Sequence, residues 1–496
     1  MKKSLYLINP KTEVPGYFGA EVLESKGFSP SSLVADLACV TVAAMVPKDW
    51  DVSICDENIE HIAFDTTADF IGITGKITQS KRMFELALEF RKLGKIVIVG
   101  GPFVSLCPEV FRNKCDILVR GELESIASTF FADLEAGKWQ EEYIAGQADI
   151  TSSPIPRWDL YPTDRAFIGC IQTSRGCPFE CEFCDVIQYL GRKQRHKTVD
   201  QIIAELDILY SLGFKAAFIA DDNFTVFRSK AKEILIAIRE WNRSKEEGAM
   251  EFSTQISIDA ARDPELIKLC SEAGITCVFI GIESVNQESL KETKKRQNIG
   301  VDIRRQIQLF LDNGIIVFGG MICGFDHDGP DIFEKQFDFA MSLPITIFTL
   351  GPLVAPSATP LYTKLKNMGR LVEGSEVAAS PWETNIIPAR ISRKELTEGI
   401  SALFRKLYLQ ENMSKRIATV ISLLKPVNEL HFRETERVID KEYNAIVAGV
   451  IRNAESCFMP PILKAMKNNK RATKTIAHIL LRYAQVLHIQ DVRERA

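Results

Sequence analysis

Long apolar runs are missing from this chain. No stretch approaches the ~20 consecutive apolar residues that span a bilayer, and the first apolar run, Leu5 to Ile8, is too short for a signal peptide. We therefore expect a cytoplasmic protein whose cysteines stay reduced. A large excess of one charge is also absent: the formal net charge is −4. The composition thus gives no electrostatic reason to expect nucleic acid as a partner.

One local excess of positive charge lies between Lys464 and Arg482. Such a stretch is usually the solvated face of a helix. Contact with an anionic substrate, or a peripheral contact with a membrane surface, is the other interpretation. The stretch does not by itself decide between them.

The first 145 residues alternate short β-branched runs with helical patterns. This alternation predicts an α/β domain, a doubly wound, Rossmann-like parallel sheet with helices on both faces. The expected strands are 5–8, 51–55, 70–74, 96–99 and 117–119, and the expected helices are 31–46 and 80–93. Residues 146–165 contain several prolines and read as a stiff linker.

From 166 to 370 the alternation resumes with a longer period and predicts a partial (β/α)6 barrel. The expected strands are 167–173, 216–220, 252–258, 277–282, 315–321 and 345–350, with helices over 199–212, 230–243, 264–273, 302–313 and 331–342. Residues 371–496 carry almost no strand signal and predict a helical C-terminal domain, with helices over 391–412, 413–424, 442–453 and 473–489.

Two strand ends in the first domain are rich in small residues. Thr74 lies between glycines at the end of one strand, and Gly100 and Gly101 follow another. Ligands of parallel sheets bind at the carboxyl ends of the strands, and glycine lets the backbone approach a ligand closely. Tight turns between strand and helix explain the glycines equally well.

Three cysteines share one loop after the first barrel strand, whereas the other nine of the 12 are scattered. Cys177, Cys181 and Cys184 have the spacing C-x3-C-x2-C. Iron–sulfur clusters are usually held by four thiolates, so three would leave one iron of a 4Fe–4S cluster open to a substrate or cofactor. A zinc site completed by His196 is the alternative.

The cysteine loop, with Phe183 before its last cysteine, resembles that of the radical SAM superfamily. The resemblance implies an oxygen-sensitive 4Fe–4S enzyme that cleaves S-adenosylmethionine to a 5′-deoxyadenosyl radical. It also implies cofactor-binding residues after two other strands: Asp221, Asp222 and Asn223 for the methionine amino group, and Glu283 and Ser284 for the ribose. Without the resemblance, the Asp-Asp-Asn segment would read as a polar turn or helix cap.

The sheet domain before the barrel resembles that of the cobalamin-binding class of this superfamily. The resemblance implies that Gly100, Gly101 and Ser105 line the pocket for the nucleotide tail of cobalamin, beside Thr74. The D-x-H-x-x-G motif that supplies a cobalt ligand in cobalamin-dependent mutases is absent, and His61 has the wrong spacing to replace it. The C-terminal part resembles the helical extension of the hopanoid 2-methylase group.

These resemblances imply a C-methyltransferase acting on an unactivated carbon of a small-molecule or lipid-like substrate, through the 5′-deoxyadenosyl radical and methylcobalamin. They also imply a low-potential electron donor such as ferredoxin or flavodoxin. Three alternatives stay open: an anaerobic oxidative cyclase or another non-methylating radical reaction, methylthio transfer, and a non-enzymatic cobalamin or redox sensor. Methylthio transfer would require a second set of three cysteines, but Cys39, Cys55, Cys107 and Cys115 lie in different predicted units.

Overall fold

The computed structural model describes residues 2–372, 374, 382–425, 430–434, 437–469 and 472–495. Its strands are β1 (Ser4–Asn9), β2 (Ser32–Val34), β3 (Asp51–Asp56), β4 (Phe70–Thr74), β5 (Ile96–Gly100), β6 (Ile117–Arg120), β7 (Glu142–Ile144), β8 (Ala166–Ile171), β9 (Ser174–Arg175), β10 (Arg195–His196), β11 (Ala216–Ile219), β12 (Glu251–Ile256), β13 (Ile275–Glu283), β14 (Ile316–Cys323) and β15 (Phe348–Pro352).

The α-helices in the same residues are α1 (Glu21–Ser25), α2 (Leu37–Met45), α3 (Ser80–Lys92), α4 (Pro102–Leu106), α5 (Ala127–Ala136), α6 (Val186–Tyr189), α7 (Val199–Ser211), α8 (Arg228–Arg243), α9 (Pro264–Glu272), α10 (Gln287–Glu292), α11 (Ile303–Asp312), α12 (Ile332–Ser342), α13 (Pro360–Asn367), α14 (Arg393–Tyr408), α15 (Gln410–Leu423), α16 (Val438–Arg452), α17 (Met459–Asn468) and α18 (Thr473–Arg495). None of these helices combines the length and the apolarity needed to cross a bilayer.

The first sheet is parallel throughout, in the order β3-β1-β4-β5-β6-β7. α3 and α4 pack on one face of the sheet, and α2 packs on β1 and β3. The strand order reverses between β1 and β4. Such a switch point opens a crevice at the carboxyl ends of the strands, where doubly wound sheets bind ligands.

The second sheet is a curled, seven-stranded parallel sheet in the order β15-β14-β13-β12-β11-β8-β2. Six of its strands are the predicted barrel strands, which confirms the α/β fold with a partial barrel. The predicted helix over 31–46 is wrong at its start, because Ser32–Val34 instead pairs with β8 as a seventh strand. Pairing to an open edge outweighs the weak local preference of three residues.

Two tyrosines cover the opposite edge of the barrel. The hydroxyl of Tyr17 accepts from the backbone N–H of Leu350 (3.1 Å) and donates to its carbonyl oxygen (3.2 Å). The hydroxyl of Tyr408, on α14, accepts from the backbone N–H of Phe348 (3.0 Å) and donates to its carbonyl oxygen (2.6 Å). Backbone groups at the open edge of β15 thereby gain hydrogen-bond partners without pairing to a further strand.

The proline-containing segment 146–165 packs against the first sheet. Trp158 and Tyr161 are both buried there. The hydroxyl of Tyr161 donates to Asp56 Oδ2 at the end of β3 (2.5 Å). The boundaries of the predicted domains remain predictions. The segment also contacts the barrel, where Gln201 Nε2 of α7 donates to Ser153 O (3.2 Å).

Candidate active site

The cysteine loop follows β8 and is held by backbone contacts at both ends. β9 and β10 form a short antiparallel ladder beside it. Gly176 has a φ of +96°, and a Cβ there would lie 2.7 Å from a neighbouring carbonyl oxygen, so the position requires glycine. The N–H of Cys177 donates to Gly191 O (3.2 Å), and that of Glu182 donates to Thr293 O (3.0 Å). The loop is therefore anchored on two separate segments.

The three loop thiols are electrostatic neighbours of one another and of the Lys295 ammonium. Burial raises the pKa of Cys177, and burial raises the pKa of Cys184 to about 12. The Cys181 thiol adds to both shifts, and Lys295 opposes both. A cation beside three thiols favours the ionised form that a thiolate-bound cluster requires. The loop thus offers three thiols and one neighbouring cation, a donor set that suits such a cluster.

The alternative of a single metal ion at this loop gains no support from the structure. Among the residues the structure describes, no three His, Cys, Asp or Glu side chains converge on one ion. His196 lies on β10, where its ring packs 5.9 Å from the ring of Phe227. The zinc site considered from the sequence therefore has no support. A cluster places its irons at separate points, so its cysteines need not converge on one position.

Asp221 joins the end of the second barrel strand to the start of the cysteine loop. The side chain is buried and accepts from Thr173 N (2.7 Å), Thr173 Oγ1 (2.6 Å) and Ser174 Oγ (2.5 Å). These contacts within the chain already occupy both carboxylate oxygens. Sequence reasoning placed Asp221 at the right strand end, and its surroundings indicate that it positions the loop.

Asp222 and Asn223 differ in their surroundings. The amide of Asn223 donates to the hydroxyl of Ser257, and its oxygen accepts from Ser257 N (3.2 Å), which joins two strand ends. Asp222 lines the large cavity described below. Burial and the adjacent Asp221 raise the pKa of Asp222 to about 7, against a weak bond from Gly176 N (3.4 Å). Asp222 is therefore the carboxylate of this segment best placed to meet a cationic ligand.

Glu283 ends β13 in an unusual backbone conformation. Its φ is +66°, and the register with β14 shifts beside it. A left-handed residue other than glycine is strained and persists where its surroundings hold it. Gln336 Nε2 donates to the Glu283 carbonyl oxygen (3.2 Å). The hydroxyl of the next residue, the buried Ser284, accepts from Asn286 N (3.1 Å).

Lys295 is a candidate site residue that the sequence reading missed. Its ammonium lies 2.6 Å from Glu283 Oε1 and 5.9 Å from the centre of the Phe183 ring. Burial alone would lower the pKa of Lys295, but Glu283 and the thiols of Cys181 and Cys184 raise it above its ordinary value. The lysine lies in a run of charged residues, which gave no reason to single it out. It links the predicted ribose-binding acid to the cysteine loop.

A cavity of about 1290 Å³ joins the first sheet to the inside of the barrel. Thr74, Gly100, Gly101 and Ser105 all line it, as does Asp222 from the barrel side. Pockets for small molecules and cofactors usually measure ~300–1,000 Å³, so this cavity has room for a large cofactor or for more than one ligand. The residues predicted to bind cobalamin therefore share one space with a residue predicted to bind S-adenosylmethionine.

Gly101 and Ser105 also stabilise the turns at this edge of the first sheet. Gly101 has a φ of +94°, and a Cβ on it would lie 2.5 Å from Thr74 Oγ1, so the turn itself requires glycine. Gly100 has no such conflict. The hydroxyl of Ser105 donates to Gly101 O (2.9 Å) and accepts from Gly121 N (2.9 Å). Ser105 thus shapes the cavity wall by joining two turns.

A buried ion-pair cluster connects the first sheet to the cysteine loop. Arg175, two residues before Cys177, pairs with Glu122 Oε2 (2.8 Å) and with Glu124 Oε1 (2.7 Å). Arg195, on β10, pairs with the other oxygen of Glu122 (2.6 Å). The two acids follow β6, so the cluster spans the junction between the two sheets.

Fold and site together define an α/β enzyme in which a three-cysteine loop at the carboxyl edge of the partial barrel faces the first parallel sheet. The family described as the radical SAM superfamily matches residues 171–340, and a domain of unknown function (DUF4070) matches residues 359–495. The chain belongs to the radical SAM superfamily, which confirms the family predicted from the cysteine loop.

Two relatives and one solved structure refine this placement. An uncharacterized methyltransferase of Synechocystis sp. is 34% identical over 76% of this chain and 71% of its own. The hopanoid C-2 methylase of Rhodopseudomonas palustris is 33% identical over 67% of this chain and 64% of its own. The cobalamin-dependent S-adenosylmethionine radical enzyme OxsB, with aqua-cobalamin bound, superimposes with a TM-score of 0.63 at 15% identity, over 100% of this chain and 81% of its own. The chain therefore shares its overall fold with OxsB.

The affinity for S-adenosylmethionine is expected to fall as the pH falls through about 7, the pKa of Asp222. A cationic ligand favours the ionised carboxylate, so binding at lower pH must first remove its proton. Equilibrium dialysis of the reconstituted protein from pH ~6 to ~8 measures the effect. In Asp222→Asn we expect weak binding with a flat pH profile. The same pH dependence in wild type and in Asp222→Asn would contradict this role.

Proposed function

We propose that this chain is a cobalamin-dependent radical SAM C-methyltransferase that acts on an unactivated carbon of a small-molecule or lipid-like substrate. The observation that carries the proposal is the continuous cavity between the carboxyl edge of the first sheet and the barrel interior. Thr74, Gly100 and Gly101 line one side of this cavity, and Asp222 lines another. A methyl transfer needs the methyl carrier and the carbon radical in one enclosed space.

The residues have separate duties in this proposal. Cys177, Cys181 and Cys184 hold the cluster, Asp222 meets the amino group of S-adenosylmethionine, and Glu283 meets the ribose. When bound, the cluster supplies the electron that cleaves S-adenosylmethionine, and the cobalamin supplies the methyl group. Lys295 Nζ, 2.6 Å from Glu283 Oε1, orients this carboxylate. With cofactors and substrate in place, the filled cavity would keep water away from a reactive carbon radical.

A radical barrel that forms rings or oxidises its substrate is the second candidate. It would use the same cysteine loop and the same cavity, and differ only in the fate of the substrate radical. A non-enzymatic sensor is a poorer match, because the described loop presents three cysteines and would leave one iron open for a ligand. We further propose a ferredoxin or flavodoxin as electron donor, a cytoplasmic location and at most peripheral contact with membranes.

Products formed by the reconstituted protein test the proposal. The protein is loaded anaerobically with iron, sulfide and S-adenosylmethionine, reduced, and assayed for 5′-deoxyadenosine and S-adenosylhomocysteine with and without cobalamin. A methyltransferase forms S-adenosylhomocysteine only when cobalamin is present. Deoxyadenosine without cobalamin-dependent S-adenosylhomocysteine would favour the cyclase or oxidase. Neither product from a sample with a full cluster would refute the radical mechanism.

A further inference from the structure

The cavity extends through the barrel to the end opposite the cysteine loop. Helices α16 and α18 lie across this amino-terminal end, and Tyr443, His478 and Arg482 of these helices line the cavity. Lys215, which precedes β11, and Glu251, which begins β12, line it as well. The same space therefore reaches the amino-terminal ends of the strands, away from the predicted cofactor residues at their carboxyl ends.

Charges at this far end are not balanced. Glu251 pairs with Lys474, and Lys215 pairs with Asp440 (2.8 Å). Arg482 forms no ion pair with any residue that the structure describes, and its Nη1 atom is inaccessible to solvent without a hydrogen-bond partner. Arg482 is half-buried, so it loses part of its hydration without gaining an ionic partner. An anionic ligand in the cavity would supply that partner.

The groups beside Arg482 can add contacts to such an anion. The phenol of Tyr443 and the thiol of Cys277 are its electrostatic neighbours. The imidazole of His478 lies against the Tyr443 ring, with 6.1 Å between ring centres. A guanidinium beside a phenol and an imidazole offers several donors to carboxylate or phosphate oxygens.

Between the two ends the lumen is mainly apolar and aromatic. Every strand of the barrel contributes residues to its lining, among them Phe218, Ser253, Phe279, Phe318 and Thr349. The six residues of β12 rise by about 3.3 Å each, so its ends lie roughly 17 Å apart. A ligand that reaches both ends is therefore long, with an apolar body.

We propose that the far end of the barrel binds the carboxylate or phosphate end of an elongated apolar substrate, with Arg482 as its ionic partner. The apolar body then lies along the lumen, and the opposite end reaches the space beside Asp222 and the cysteine loop. That the substrate reacts at the end beside Asp222 rests on the proposed function. That its anionic end binds beside Arg482 does not rest on it, because this binding needs neither reduction of the iron–sulfur cluster nor turnover.

Binding of cis-parinaric acid, a fluorescent long-chain carboxylic acid, tests the site on the full-length reconstituted protein. We expect saturable fluorescence enhancement, binding roughly tenfold weaker in Arg482→Gln and largely restored in Arg482→Lys. The methyl ester of the probe should bind weakly and equally to wild type and to Arg482→Gln. Displacement by palmitate or by hexadecyl phosphate shows whether the site prefers a carboxylate or a phosphate.

Two further variants separate the possible outcomes. Arg452→Gln removes an exposed arginine of α16 and should leave binding unchanged. Ser253→Trp fills the lumen and should abolish binding of both acid and ester. Equal affinities of acid and ester for the wild type, or equal losses in Arg452→Gln and Arg482→Gln, would overturn the proposal. Circular dichroism verifies that each variant is folded. Deoxyadenosine formation in the same samples tests the proposed function separately.

Discussion

Replacement of Cys181 by alanine is expected to reduce bound iron and 5′-deoxyadenosine formation to background. Cys181 is the middle cysteine of the loop, is buried, and has Gln297 Nε2 3.6 Å from its sulfur. A cluster held by three thiolates has no protein ligand in reserve, so the loss of one exposes a second iron. The iron content, the brown charge-transfer absorbance of the reconstituted protein and the deoxyadenosine yield measure the effect.

A second buried cysteine provides the matched control. Cys270 lies on α9 and is only 1% exposed, so Cys270→Ala removes the same atom from a core position away from the loop. We expect full iron loading and full deoxyadenosine formation, with a loss of about 1 kcal/mol in the free energy of unfolding. Full activity in Cys181→Ala, or equal iron loss in both variants, would show that another set of residues holds the cluster.

Much of the fold could be predicted because its strands are buried on both faces. Ile96–Gly100 and Ile316–Cys323 are nearly continuous apolar runs bounded by glycine or charge, as parallel strands require. Elements without such a pattern were missed or misplaced. Glu142–Ile144 is a three-residue edge strand, and Ser32–Val34 becomes a strand only because β8 offers it an edge.

The candidate site was predictable only where spacing carries the chemistry. The three cysteines have a diagnostic spacing within one loop, and Asp222 and Glu283 lie within two residues of the ends of predicted strands. Lys295 and Arg175 have no such signal, because each depends on acids brought close by folding. Glu283 is 12 residues from Lys295, and Glu122 is 53 residues from Arg175. Arg482 belongs to a basic stretch that the sequence leaves open between a solvated helix face and contact with an anion, and its side chain lines the barrel cavity.

Arg175 lies in the ion-pair cluster at the junction of the two sheets. Its side chain is 13% exposed, and its acidic partners Glu122 and Glu124 are 5% and 8% exposed. Its Nε also donates to Gln172 Oε1 (2.7 Å) at the end of the first barrel strand. Burial opposes ionisation of Glu124, but Arg175 lowers the pKa of this acid on balance. Arg175 thus stabilises buried negative charge from the first sheet beside the cysteine loop.

The variant Arg175→Met is therefore expected to lose about 3 kcal/mol in the free energy of unfolding, because it leaves Glu124 buried without its counter-ion. The difference in unfolding free energy between Arg175→Met and the wild type should shrink as the pH falls through the ordinary pKa range of a glutamate. The lowered pKa of Glu124 stabilises the folded wild type at pH values above the ordinary glutamate pKa. This stabilisation is lost as the pH falls below that pKa and the carboxylate takes up a proton. Arg157→Met, which breaks an exposed pair with Asp159 (2.7 Å), should cost less than about 1 kcal/mol. Urea titrations at several pH values measure both variants.

The same variant should also affect catalysis, because the ion-pair cluster of Arg175 joins the cysteine loop to the first sheet. We expect Arg175→Met to lower S-adenosylhomocysteine formation more than deoxyadenosine formation. Equal stability losses in the two variants would contradict this role of Arg175.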